Sequence, residues 1–239
     1  MKIFVWCKKV PNDSINADNY GKPIYPYPHP VILFYTNDKV WYLNARSARF
    51  DKDTLKRKGE TEFHIEYPSD AGLKDSYIDA SSINVMNREQ FEEYYDINLK
   101  EKGKYWTIPL DKSKEIYETI EELMDKGTYT LSEVSVDPNT EKSNFLVHHL
   151  NIENKNTFQT TDNSKIADED DFEHIELLNE FQTFIKRINS LTPEQYEEFV
   201  ESDCDANVLE KLSLANEQED NEEESLVSSI TFRKGYSQG

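Results

Sequence analysis

Between Val31 and Leu43 the chain carries two short runs of β-branched and aromatic residues, Val31-Ile32-Leu33-Phe34-Tyr35 and Val40-Trp41-Tyr42-Leu43. Four polar residues, Thr36-Asn37-Asp38-Lys39, separate them. Side chains of this kind favour a pleated surface, and a short polar interval suits a reversal, so the pattern predicts an antiparallel hairpin. Ile3 to Cys7 reads as an earlier strand, and Pro11 to Pro30, rich in Asn, Asp and Pro, as a loop. Glu62 to Tyr67 alternates polar and apolar residues as a half-buried strand does, and Ser76–Ala80 with Ile83–Val85 adds another. Five or six short strands in about 85 residues predict a small barrel rather than a sandwich of large sheets.

Helical signals follow. Ile116, Ile120, Leu123 and Met124 recur at helical spacing within Asp111 to Lys126, and Gly127 stands as the stop. Tyr129 to Val136 and Asn144 to Ile152 flank Asp137-Pro138-Asn139-Thr140 and predict a second hairpin. Polar Glu153 to Asp171 reads as a linker. Phe172, Ile175, Leu178, Phe181, Ile185 and Ile188 then form the stripe of an amphipathic helix. Thr192-Pro193-Glu194-Gln195 opens a further helix with an N-cap, a proline at the first position and a reciprocal Gln. The class expected is α+β, with a small barrel and closing helix over residues 1–127 and a hairpin and linker over 128–160. An acidic helical extension over 161–215 and a flexible tail over 216–239 complete it.

Charge is divided unevenly. The net charge is −20, yet residues 1–60 carry +5 and residues 128–239 carry −17. Lys39, Arg46, Arg49, Lys52, Lys56, Arg57 and Lys58 cluster in one short region, where phosphate contacts and a merely solvated loop are both open readings. No apolar run approaches the roughly 20 residues that span a bilayer, and the N-terminus soon turns too polar for a secretory signal, so a cytoplasmic protein with no membrane partner is expected. Cys7 and Cys204 lie at opposite ends of the chain without a ligand pattern, and adjacent His148 and His149 would point to opposite faces of a strand. Neither pair predicts a metal site.

The order and spacing of several motifs resemble the MazF/PemK/Kid endoribonuclease toxins, over roughly residues 25–127. His29-Pro30-Val31-Ile32-Leu33-Phe34 is similar to their Arg-Pro-Val opening strand, with His29 where arginine is usual. Leu43-Asn44-Ala45-Arg46-Ser47 resembles the strand end that carries their catalytic threonine or serine, which puts Ser47 at that position. His64-Ile65-Glu66 and Asp75 to Ile83 resemble the later strands in order, and the match continues through Asn87-Arg88-Glu89-Gln90-Phe91 and the closing helix. Asp79 and Ser81 depart from the Arg and Asp that some relatives use. The resemblance implies an SH3-like β-barrel with a closing helix, a fold shared with type III toxin relatives. It also implies a homodimer that cuts single-stranded RNA without metal or cofactor, paired with an antitoxin or another protein.

Cleavage through the ribose 2′-hydroxyl needs a group to take its proton, a group to protonate the leaving 5′-oxygen, and a cation or donor for the crowded phosphorane. His29, Ser47 and Arg46 supply these types as candidate catalytic residues, and Arg49, Lys52, Lys56 and Arg57 are candidate RNA contacts. His29 also reads as filler in the stiff Tyr25-Pro26-Tyr27-Pro28-His29-Pro30 segment, and Ser47 as an ordinary strand-end hydroxyl. The acidic extension, residues 162–239, has three readings: a cover for the basic face in cis, a surface that binds another protein, or a solvated appendage. The alternative function is a non-catalytic interaction module of a bacterial mobile element, built on the same barrel.

Overall fold

The computed structural model of the protein describes residues 1–4, 16–17, 23–24, 30–49, 54–66, 75–95, 97–99, 105–136, 145–150 and 169–214. β1 (Lys2–Phe4) is followed by a two-residue pair, β2 (Asn16–Ala17) and β3 (Pro23–Ile24). β4 (Pro30–Tyr35) and β5 (Lys39–Ser47) form the first hairpin, closed where the Thr36 amide donates to the Lys39 carbonyl at 2.9 Å. The Thr36 hydroxyl steadies that turn, donating to Asp38 at 2.7 Å and accepting from the Lys39 amide at 3.1 Å. β6 (Glu62–Ile65) and β7 (Ser76–Asn87) follow, and Ser76–Ala80 and Ile83–Val85 belong to one strand rather than two. β4, β5, β7 and β6 make an antiparallel sheet curled into a half-barrel, with helices after it, an α+β arrangement.

The curl has a local cause in the register. Leu43 faces Ile83 and Ala45 faces Ile78, so β5 advances two positions while β7 advances five. The surplus lies at Asp79 to Ser82, and such a bulge bends the strand and sharpens its twist. The Asp79 carboxylate holds the bend by accepting from the Ser81 amide at 2.9 Å, the Ser81 hydroxyl at 2.8 Å and the Thr61 hydroxyl at 2.7 Å. A second register shift falls between Ile32 and Phe34 on β4.

Elements not anticipated from sequence include the β2–β3 pair, inside the stretch expected as a loop, α1 (Arg88–Tyr95) and β8 (Tyr105–Thr107), which pairs with β1. α2 (Leu110–Asp125) ends at Gly127, whose φ of 61° is the left-handed conformation that favours glycine. β9 (Thr130–Val136) and β10 (Phe145–His149) pair as the second hairpin, but β9 also runs parallel to β7, Ser82 facing Thr130 through Met86 facing Val134. β7 therefore meets β5 on one edge and both β6 and β9 on the other. α3 (Glu169–Asn189), α4 (Pro193–Glu201) and α5 (206–214) complete the described chain. Thr192 caps α4 with a capping box and Pro193 beside it.

The sheet is covered on both faces. One face, with Val31, Leu33, Phe34, Trp41, Leu43, Ala45, Ile78 and Ile83, shares a core with α2, α3, α4 and α5. On the other, Ile32, Tyr35, Val40, Tyr42 and Met86 pack with Phe91, Tyr94 and Tyr95 of α1. Residues on either side of the boundary expected at 127 thus share one core, and the helical extension packs as part of it. The buried stripe of α3 is Leu177, Phe181, Ile185 and Ile188, whereas Ile175, expected in the stripe, is 55% exposed. Phe34 selects this register by stacking on Phe181 at 6.2 Å and packing at a tilt against Phe184 at 4.7 Å between centroids. The expected tail from 216 and most of the expected linker, residues 153–168, lie outside the described residues. Among those described, no helix is long and apolar enough to cross a membrane.

Candidate functional site

At the end of the half-barrel away from α1, the cross-strand register sets Arg46 of β5 opposite Tyr77 of β7, and Tyr77 opposite His64 of β6. Residues directly opposite on neighbouring strands project from the same face, so one row carries a guanidinium, a phenol and an imidazole. The Arg46 guanidinium lies over the Tyr77 ring, 4.7 Å from its centroid, and the His64 ring is 5.2 Å from it on the other side of the row. β5 supplies the arginine because its alternation puts Ala45 into the core and so turns Arg46 to the other face.

Arg46 and Arg49 each have a carboxylate. Glu62, nearly buried on β6, takes both Nε and an Nη of Arg46 and also the Gly59 amide. Burial alone would raise the Glu62 carboxyl; the bonds from Arg46 and Gly59, with the charges of Arg46 and Lys58, hold it below the ordinary range instead. Arg49 binds Asp75 through Nε at 2.6 Å and through an Nη. The loop between β5 and β6 is folded onto this row by the row's own side chains. Arg46 donates to the Arg57 carbonyl at 2.8 Å, and the Tyr77 hydroxyl donates to the Lys56 carbonyl at 2.9 Å. Exposed Arg57 and Lys58 consequently rim the site, with Lys56 partly buried beside them.

Ser47 stands elsewhere. It follows Arg46 on β5 and so belongs to the opposite face, where its hydroxyl donates to the Arg49 carbonyl at 3.0 Å and accepts from the Arg49 amide at 3.3 Å. This local turn shapes the path of the chain toward Arg49. Arg46, Arg49, Lys56 and Arg57 thus come together, and Ser47 does not share their face. His29 and Lys52 lie outside the described residues.

His64 is the member that sequence reasoning did not single out. Its Nδ1 is 3.8 Å from the exposed Glu66 carboxylate, and its Nε2 is 4.0 Å from Asp75. Nε2 is buried without a hydrogen-bond partner. The signal for it was indirect, since only the β5–β7–β6 register brings residues 46 and 64 into one row. Among the described residues, no three of His, Cys, Asp and Glu gather as a metal-holding group.

The described part of the acidic extension lies on the other side of the sheet. α3 to α5 pack against the face that holds Ala45, not the face that holds Arg46. The acidic run from Glu217 to Glu224 is outside the described residues. Compared with known proteins, the chain matches no family model, no curated protein and no solved structure.

Proposed function

We propose that this protein is a metal-independent endoribonuclease that cuts single-stranded RNA through the ribose 2′-hydroxyl, a toxin of the MazF/PemK/Kid kind on an SH3-like barrel. The observation that carries the reading is the row of Arg46, Tyr77 and His64 at one end of a curled half-barrel, with the Lys56–Lys58 segment bound along it. A guanidinium supports the charge of a phosphorane, an imidazole moves a proton, and exposed Arg57 and Lys58 meet neighbouring phosphates. A homodimer, an antitoxin or other protein partner and a cytoplasmic setting belong to the same reading. Because the described acidic helices cover the opposite face, restraint in cis falls to residues beyond 214.

One observation favours the second reading, a non-catalytic interaction module. Glu62 and Asp75 already occupy Arg46 and Arg49, as they would in a purely structural network. Incubating the full chain with mixed-sequence single-stranded RNA in excess EDTA separates the two. The nuclease yields 2′,3′-cyclic phosphate and 5′-hydroxyl ends, and Arg46→Gln lowers its rate by about 10²–10³. Ser47→Ala then reports on Ser47: a loss as large as that of Arg46→Gln places its hydroxyl at the reaction, and a small loss leaves it shaping the Arg49 turn. Intact RNA from folded protein moves the conclusion to the interaction module.

A further inference from the structure

Resting on the nuclease reading, we infer that His64 is the group that takes the 2′-hydroxyl proton and that Asp75 is the positioning residue that orients it. A histidine retained only for packing would be expected to satisfy both ring nitrogens or expose them. Here Nε2 is buried and unbonded, a condition that is costly to keep and therefore calls for a reason. The nearest carboxylate is Asp75, at 4.0 Å, and a shift of about 1 Å brings the pair to bonding distance. An Nε2–H donated to Asp75 fixes the tautomer that leaves the lone pair on Nδ1. Nδ1 lies toward Glu66, whose side chain is 77% exposed.

The groups around the ring are complete enough to define the step. Tyr77 of β7 lies beside it with its ring tilted, Arg46 of β5 lies beyond Tyr77, Asp75 precedes β7 and carries Arg49, and Glu66 follows β6. The 2′-oxygen forms its bond to phosphorus as its proton passes to His64 Nδ1. The bond from phosphorus to the 5′-oxygen breaks, and that oxygen takes a proton from water. The products are a 2′,3′-cyclic phosphate and a 5′-hydroxyl, and the imidazolium, paired with Asp75, returns its proton to solvent. Arg46 and the rim supply charge to the phosphate and need not titrate, which suits guanidinium chemistry.

The test uses the full chain, mixed-sequence single-stranded RNA and excess EDTA. His64→Ala lowers kcat by about 10²–10⁴, and added imidazole restores part of the rate. Asp75→Asn lowers kcat with KM little changed. Wild-type cleavage that persists in His64→Ala overturns the inference while leaving the nuclease reading in place. So does an inactive His64→Ala that imidazole fails to rescue although its urea unfolding matches the wild type, because the role is then structural. Asp75→Asn that raises KM alone assigns Asp75 to Arg49 and removes it from the pair with His64. Absence of cleavage by the wild type overturns the nuclease reading itself, and this inference with it.

Discussion

Replacing Phe181 by alanine tests whether the C-terminal helices belong to the same cooperative unit as the sheet. Phe181 is fully buried and stacks on Phe34 of β4 and Tyr129 before β9, at 6.2 and 6.4 Å. Phe34 in turn stacks on Trp41 of β5 at 4.8 Å, so the ring sits one contact from the middle of the sheet. Truncating a buried phenylalanine costs about 3–5 kcal/mol, from lost transfer energy and the cavity left behind. About 4 kcal/mol is nearly a 10³-fold change in the folding constant and, for a chain of this size, a fall in Tm of about 8–16 °C. Urea unfolding followed by tryptophan fluorescence and by far-ultraviolet circular dichroism reads the sheet and the helices separately. Both transitions should remain coincident and move together. A loss under about 1 kcal/mol, or a helical transition that moves away from an unshifted fluorescence transition, refutes the single core.

Two further perturbations address the half-barrel. The Tyr117 hydroxyl of α2, fully buried, donates to the Leu33 carbonyl at the register shift of β4; Tyr117→Phe leaves that carbonyl without this donor and should cost about 1–3 kcal/mol by urea unfolding, a value near zero contradicting the account. Glu62 is held below its ordinary value of 4.5, so the unfolded chain protonates it first, and its contribution is whole above pH 4.5 and lost as pH falls through the folded value. The stability difference between wild type and Glu62→Gln should therefore shrink on acidification from about pH 6 to about pH 3, and a constant difference contradicts the ion-pair account.

What the sequence disclosed follows the range of the interactions. The β4–β5 hairpin, α2 with its Gly127 stop and the capped start of α4 are written in neighbouring residues, and each stands where local pattern places it. α1 has a local mark as well, the Asn87 carboxamide accepting from the Gln90 amide at 3.2 Å, but a Gln three residues after an Asn is a faint signal among aromatic residues. The stripe of α3 was ambiguous because Phe181, Ile185 and Ile188 serve two overlapping sets. The packing of Phe34 decides for Leu177 over Ile175. Pairing of β9 with β7 has no local mark, so Gly127 read as the end of a domain when it ends only a helix. At the site, strand alternation already separates Arg46 from Ser47, whereas His64 joins Arg46 only through the register of three strands.

The two partners of β7 on one edge impose an order on the chain's emergence from a ribosome. Antiparallel β6 lies earlier in sequence, so the Ser76–Asp79 end of β7 can pair as soon as it is made. Its Ser82–Met86 end must wait for Thr130 to Val134, about 48 residues later. Until then that half of the strand has an unpaired edge beside a half-built apolar face, the condition in which nascent chains recruit chaperones or one another. Residues beyond Gly127 therefore govern the interval during which the N-terminal half remains exposed.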